Sequence, residues 1–366
     1  MKIAILGTRG IPAAYGGFET LAEELSARLA AHGHDVTVYA RPGGVGAHVE
    51  WHRGVRVVHL PTIRHKYLDT VVHGFVSAIH AAAAGYDAIV FCNAVNALVS
   101  RLPRLLGADA RVVLNVDGLE RRRRKWNLLG KAVYALSERL SCVLPDAVVS
   151  DARVIHDYYR RRYGKETTYI PYGADLPAPR GTETLERLGL VPGRYVLYVS
   201  RFEPENNPDA VIRGFSIFDG DLKLALVGSA PYAAGFIDRI HAEAARDPRI
   251  VVLGAIYGEG YRELMANAAV YVHATEVGGT HPALLEAMGF GRPLLVHDTP
   301  ENREVADGTA LFWEARKPET LTAGLRALFA DPAERERLGE AARERALALY
   351  RWADVADAYE RLLSGA

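Results

Sequence analysis

Short apolar runs alternate with amphipathic stretches along most of the chain. The runs predict strands at Ile3–Leu6, Asp35–Ala40, Val55–His59, Ala88–Phe91, Arg111–Val116, Ala147–Ser150 and Thr168–Ile170. Between them lie segments such as Phe18–Ala31, where Leu21, Leu25 and Leu29 recur at helical spacing. The runs are apolar almost throughout and are bounded by Gly, Asp and Pro. That pattern belongs to strands buried on both faces in a parallel sheet covered by helices. The stretch "IPYGADLPAPRGTE" breaks both periodicities and predicts a linker at about Pro171 to Thr182. The alternation then restarts, with strands at Tyr195–Val199, Lys223–Val227, Ile250–Leu253, Val270–His273 and Pro293–Val296. Helices are expected near Asn207–Phe218, Ala234–Arg246, Tyr261–Ala268 and Pro282–Gly291, and the tail from Pro332 reads as helical. Two open-sheet domains joined by one linker are expected to form a cleft, with ligands beyond the carboxyl ends of the strands.

Composition narrows this picture little. A length of 366 residues fits about two domains of ~150 residues. The apolar and charged fractions are ordinary for a globular protein. Formal net charge is zero, so global charge points to neither a nucleic-acid nor an acidic partner. Basic residues cluster locally in "ERRRRKW" (Glu120–Trp126) and "YYRRRYGK" (Tyr158–Lys165). Cys92 and Cys142 sit in apolar stretches and read as buried free thiols in preference to a disulfide or metal pair. The opening "MKIAILGTRG" is too short in its apolar part for a signal peptide, and no run of 18 apolar residues appears. The expected location is the cytoplasm.

Three loops carry the candidate chemistry. "GTRGIPAAYGGFET" (Gly7–Thr20) leads from the first strand into the first helix. Amide groups at a helix start attract anions, and glycine lets a phosphate or sugar approach the backbone. The dinucleotide fingerprint G-x-G-x-x-G is absent, so Gly16 and Gly17 at the helix entrance are the ligand-facing candidates, against a plain flexible turn. In "YVLYVSRFEPENNPDAVIRGF", Arg201 stands at a strand tip, with Asn206 and Asn207 read as caps of the next helix and Pro208 in its first turn. The planar fork of an arginine suits a diphosphate, although a lone Arg is more commonly a solvated surface group. In "TEVGGTHPALLEAMGFGRP", Gly278, Gly279 and Thr280 lead to a helix with His281 as N-cap. Glu286, one turn further in, lies on the face of the helix entrance and suits the hydroxyls of a ribose. Its apolar neighbours weigh against a plain surface Glu, because burial without a partner is costly.

In this order and spacing the loops resemble those of the GT-B glycosyltransferases of retaining family four. The signatures of that family are a Gly-rich first loop, an Arg-x4-Lys phosphate grip and a Glu-x7-Glu motif. "GTRGIPAAYGGFET", "NVDGLERRRRKW" and "VVSDARVIHDYY" resemble more narrowly its bacterial rhamnosyltransferase branch. The resemblance covers nearly the whole chain. It implies two Rossmann-like doubly wound domains: an acceptor-side domain at 1–172 and a nucleotide-sugar domain at 173–350, with a helix at 351–366 returning to the first. It also implies a donor site of Gly16, Gly17, Arg201, Asn206, Gly228 of "LVGSAP", the backbone near Ile256 of "LGAIYGEG", Gly279, Thr280, His281 and Glu286. Two positions depart from the family pattern. Asn206 replaces the grip lysine and Gly278 the first glutamate. Phosphate neutralisation would then fall to Arg201 and helix dipoles, and sugar contacts to the amides around Gly279 and to His281.

Asp117 and Glu120 follow the strand "RVVLNV" and are the candidate catalytic carboxylates, with Asp117 binding or deprotonating an acceptor hydroxyl. An Asp before Gly is also a common turn residue. Arg121, Arg122, Arg123, Arg124, Lys125 and Trp126 precede a stripe of Leu129, Val133, Leu136 and Leu140. This combination suits an anionic lipid surface or a pyrophosphate-lipid acceptor; the stripe alone also suits a buried helix face. "DGD" (Asp219–Asp221) precedes a strand instead of following one, so it reads as a turn, and neither metal nor cofactor is expected. The resemblance implies a retaining, metal-independent hexosyltransferase, peripheral on the inner face of the membrane. It would move L-rhamnose from dTDP-L-rhamnose to a saccharide, itself on a lipid pyrophosphate, in polysaccharide synthesis. A nucleotide-sugar epimerase of the same architecture and a non-catalytic nucleotide-sugar binder are the rival readings; the missing fingerprint weighs against a nicotinamide-dependent dehydrogenase.

Overall fold

The computed structural model describes the whole chain except Tyr15, 44–47, Lys66, 176–180, 231–233 and Ala366. It divides into two compact units, 1–172 together with 352–366, and 173–351. Part of the expected linker, 176–180, lies outside the described residues.

In the first unit, β1 (Lys2–Leu6), β2 (Asp35–Ala40), β3 (Trp51–His52), β4 (Val55–His59), β5 (Ala88–Cys92), β6 (Arg111–Asn115), β7 (Ala147–Ser150) and β8 (Thr168–Tyr169) form one sheet. Its order is β3-β4-β2-β1-β5-β6-β7-β8, and every pair is parallel except β3 with β4. Helices α1 (Gly17–Ala31), α2 (Asp69–Ala84), α3 (Leu102–Leu105), α4 (Leu128–Ser141) and α5 (Arg153–Tyr163) connect the strands. Ile3, Ala4, Ile5 and Leu6 are wholly buried, as expected for a strand covered on both faces.

The second unit opens with α6 (Glu183–Arg187) and β9 (Tyr195–Val199). It continues through α7 (Pro208–Ser216), β10 (Lys223–Val227), α8 (Ala234–Ala244), β11 (Ile250–Gly254), α9 (Gly258–Asn267), β12 (Val270–His273), α10 (Pro282–Gly289), β13 (Leu294–His297), α11 (Pro300–Ala306) and β14 (Ala310–Trp313). Its all-parallel sheet runs β11-β10-β9-β12-β13-β14. Val196, Tyr198, Leu224, Leu226, Val270 and Val272 pack with Phe215 and Trp313 into one core. Helices α12 (Pro318–Ala330) and α13 (Pro332–Leu349) follow, and α14 (Trp352–Ser364) belongs to the first unit. Pro at the first position and Asp331 capping Glu334 N–H at 3.0 Å start α13.

Both sheets have a point where the strand order reverses. In the first, the chain proceeds outward from β1 on one side and from β5 on the other; in the second, from β9 and from β12. Connecting loops diverge there and leave an opening beyond the carboxyl ends of the strands. The Gly-rich loop follows β1, the Arg201 loop follows β9 and the Gly278–His281 turn follows β12. All three therefore sit at switch points.

Candidate functional site

In the second unit, Arg201 is three-quarters buried at the tip of β9, and its Nη1 lies 3.4 Å from Glu203 Oε1. Asn206, read from the sequence as a phosphate contact, is buried and turned inward. Its Nδ2 donates to the Arg201 carbonyl at 2.7 Å, so it holds the loop that carries Arg201. Asn207 makes no side-chain cap; its Nδ2 reaches Ala274 O at 2.8 Å and fastens this loop to the end of β12. The Glu276 N–H donates to Glu205 O at 2.9 Å and adds a second tie between the same loops.

Gly228 is also structural in its contacts. Its N–H donates to Gly254 O at 2.8 Å, and a Cβ there would lie 1.9 Å from Ser200 O. It permits the β9 and β10 loops to pass each other closely.

His281 caps α10 through its backbone carbonyl, which accepts from Leu284 N–H at 3.0 Å. Thr280 is buried beside it. A Cβ on Gly278 would fall 2.2 Å from His281 Cε1 and 2.8 Å from Nε2. The imidazole thus occupies the space into which a side chain at 278 would project. His273 stacks behind it, with ring centroids 4.9 Å apart. Burial, and then the neighbouring His281 and His297, hold His273 well below the usual histidine range, so it stays neutral. Glu286 accepts a hydrogen bond from the Tyr261 hydroxyl on α9. Tyr261 lies one turn after the Ile256 loop, so α9 brings that loop and Glu286 together. Nothing in the local sequence around Tyr261 marks it for this role; the pairing needs α9 and α10 side by side.

In the first unit, α1 braces the Gly-rich loop. Glu19 Oε1 accepts from Arg9 N–H at 2.8 Å, and Glu23 Oε2 accepts from Ala13 N–H. Gly7 has φ of +90°, and a Cβ on it would meet Cys92 O at 2.4 Å. This glycine serves the close approach of β5, whereas Gly16 and Gly17 form the entrance of α1. The Gly16 carbonyl accepts from Glu19 N–H at 3.1 Å.

Asp117 follows β6 with φ of +51°, and its N–H donates to Asn115 Oδ1 at 2.9 Å. Its carboxyl hydrogen-bonds the carboxyl of Asp151, which is wholly buried just after β7. Burial pushes Asp117 above the usual carboxylate range; Glu120 adds to the shift, while Asp151 and Arg123 oppose it. Two adjacent carboxyls in such a place titrate as a pair. The sequence does not reveal Asp151, because only the β6–β7 pairing makes it a neighbour of Asp117. Glu120, the other candidate carboxylate, is buried and paired with Arg123 Nε at 2.5 Å, and it accepts from Trp126 Nε1. It organises the loop after β6.

The run Arg121–Trp126 is not one basic patch. Arg121 turns to Glu138 and the Tyr158 hydroxyl, Arg123 is buried on Glu120, and Trp126 packs at a tilt between Tyr67 and Tyr134. Arg122 and Arg124 are exposed, and Lys125 lies over the Trp126 ring. The buried carboxylates of Glu120 and Glu138 draw alternate arginines inward. The stripe after this run is divided: Leu129 and Leu136 are exposed, whereas Leu140 packs against the core. Cys92 is buried and Cys142 is part-buried, both as free thiols.

Asp219 and Asp221 lie in the turn entering β10, at the amino end of the sheet, on Arg326 and Arg194. One group among the described residues has the spacing of metal ligands, His32 with Asp357 and Glu360. It joins the end of α1 to α14, far along those helices from the strand tips. His32 Nδ1 is already 2.7 Å from Glu360 Oε2.

Residues 16–173 match the glycosyl transferase 4-like domain, and residues 186–345 match the glycosyl transferases group 1 family. No curated protein matches the chain. Among solved structures, sucrose-phosphate synthase from Thermosynechococcus elongatus is similar at a TM-score of 0.85 and 21% identity, covering 100% of both chains. Anabaena HepE in complex with UDP-glucose is similar at 0.83 and 16%, again covering 100% of both. A UDP-forming α,α-trehalose-phosphate synthase from Burkholderia vietnamiensis follows at 0.75 and 13%, with 100% of both chains covered. The likeness shows the GT-B fold. With a 4-like domain in its first unit and a group 1 domain in its second, the chain belongs to the group 1 glycosyltransferases of the GT-B type.

Proposed function

We propose that the protein is a retaining, metal-independent hexosyltransferase that takes its sugar from a nucleoside diphosphate. The favoured donor is dTDP-L-rhamnose. The favoured acceptor is a hydroxyl of a saccharide on a lipid pyrophosphate, at the inner face of a membrane, in cell-surface polysaccharide synthesis. The observation that carries the reading is the gathering of Arg201, the Gly278–His281 turn and Glu286 beyond the carboxyl ends of the adjacent strands β9 and β12. Anabaena HepE, similar over its whole length, was crystallised with UDP-glucose, which supports a nucleotide-sugar donor.

In this reading Arg201 and the amides at the start of α10 neutralise the diphosphate. Glu286, aimed by Tyr261, accepts the ribose hydroxyls, and the Ile256 backbone meets the base. His281 takes the place of the family's first glutamate against the sugar. The acceptor attacks on the face that the diphosphate leaves, and the departing oxygen takes up its proton. Asp117, hydrogen-bonded to Asp151, orients the acceptor hydroxyl.

Thermal-shift titration with dTDP-, UDP- and GDP-sugars tests the donor class. Glu286→Ala removes charge-assisted hydrogen bonds of about 1.5–3 kcal/mol and is expected to weaken nucleotide binding about 10- to 100-fold. Asp117→Asn is expected to leave that binding near normal and to lower transfer. The opposite pattern would reverse the assignment of donor and acceptor roles. Conversion of the nucleotide sugar without any acceptor would identify an epimerase instead.

A further inference from the structure

Two neighbouring helices of the first unit carry their polar side inward and their apolar side outward. On α2 the inner residues are Asp69, His73, Gly74, Ser77, Ala78 and Ala81. Asp69 is paired with Arg41 at 2.7 Å, and His73 Nε2 bonds Ala40 O at 3.0 Å. The outer side shows Leu68, Phe75 and Ile79, all exposed, at helical spacing. On α4 the inner residues are Gly130, Tyr134, Ser137, Glu138 and Ser141, with Glu138 accepting from the Tyr158 and Tyr163 hydroxyls at 3.0 Å. The outer side shows Leu128, Leu129, Leu136 and, just beyond the helix, Val143, exposed by 86%, 73%, 51% and 65%.

The two helices flank one turn and meet at their starts. Both helices rest on the 3-10 turn Ala94–Leu98, and Tyr67 at the start of α2 meets Trp126 at the start of α4, ring centroids 5.7 Å apart. A patch of this make-up is not a normal solvated face.

Charge identifies the occupant. The carboxylates of the two helices, Asp69 and Glu138, are both buried. Lys131 and Arg139 rise from the exposed part of α4, and Arg64, Arg122 and Arg124 flank the helix starts. A second copy of the chain, related by a twofold axis, would bring this basic surface against itself. A bilayer rich in anionic headgroups receives the leucines below and the cations at its surface.

We infer that the outward faces of α2 and α4 dock the protein on an anionic lipid surface. The inference gives the membrane-linked acceptor of the proposed function a physical anchor, but it stands on the surface alone and can fail separately from the transfer reading.

The test is co-sedimentation of the full chain with phosphatidylcholine vesicles, with and without phosphatidylglycerol. The wild type is expected to pellet only when phosphatidylglycerol is present. Leu129→Glu with Leu136→Glu, and separately Lys131→Glu with Arg139→Glu, should each weaken that binding at least about tenfold. Circular dichroism and melting of the variants should match the wild type, since these side chains face outward. A wild type that stays in the supernatant, or variants that bind equally well, overturns the inference. So does a solution dimer that Leu129→Glu with Leu136→Glu converts to monomer with vesicle binding unchanged.

Discussion

At the scale of single residues, the departure at position 278 has a steric cause. The His281 ring fills the place where a side chain would stand, with Cε1 only 2.2 Å from the position a Cβ would take. Gly278→Glu should therefore not improve the site. It should displace His281 and weaken nucleotide-sugar binding, and Gly278→Glu with His281→Gly should recover part of the loss; calorimetric titration of both variants reads this. Equal binding by Gly278→Glu and wild type would mean that His281 has no part in holding the donor.

Asp117 supplies a second residue-scale expectation. Burial, with a smaller contribution from Glu120, raises its pKa, so its carboxylate form appears only at a higher pH than in a free aspartate. Transfer should then fall early on acidification. The protonated form is the one the fold tolerates best, so this group's contribution to stability is present at low pH and lost as pH rises through its raised pKa. Asp151→Asn replaces the carboxyl partner with a permanent amide donor and should move the acid limb of the rate profile to lower pH. A limb that stays in place assigns the titration to another group.

These residues also mark where the sequence stops being readable. Arg201 and His281 are legible because one closely follows a strand and the other precedes the Pro that opens a helix, and Glu286 because it lies one turn inside that helix. Asp151 and Tyr261 are not, since their partners come from neighbouring elements and only sheet and helix adjacency creates the pair. Asn206 shows the same limit: its polarity is visible, but the direction of its side chain depends on the turn that ends at Asn207 in a left-handed conformation.

At the scale of elements, strands buried on both faces are the readable part. Tyr195–Val199, Lys223–Val227 and Val270–His273 begin and end where their apolar runs do. The strands that escape such a reading, Trp51–His52 and Ala310–Trp313, lie at the edges of their sheets. Helix α4 escapes in another way, because Leu128, Leu129 and Leu136 face out, Leu140 packs on the core, and small and polar groups face in. Helix α14 shows the ordinary arrangement, burying Trp352, Val355, Ala356, Tyr359 and Leu363. The Tyr359 hydroxyl accepts from Asn115 Nδ2 at 2.7 Å, the same Asn115 that positions the Asp117 amide. Tyr359→Phe leaves a buried amide without its partner and should cost about 1–3 kcal/mol. Tyr359→Ala should cost about 3–5 kcal/mol. Urea unfolding followed by circular dichroism measures both, and a loss confined to transitions of the second unit would contradict the placement of α14.

At the scale of the whole molecule, the two sheets repeat one plan, with a loop of candidate chemistry at each reversal of strand order. Such loops carry diverse ligand contacts while the sheets beneath stay fixed. This explains how the fold can match sucrose-phosphate synthase at a TM-score of 0.85 with only 21% identity. It also explains why composition says so little: the selective positions number few against the cores that hold them.

The chain enters the second unit after residue 172 and comes back at 352. Topologically, the group 1 domain is an insert inside the 4-like domain. During synthesis the earlier domain must wait, with one flank open, until residues 352–366 leave the ribosome. A fragment ending at 172 should accordingly expose apolar surface and aggregate, and a synthetic peptide of residues 352–366 added in trans should restore its native circular dichroism.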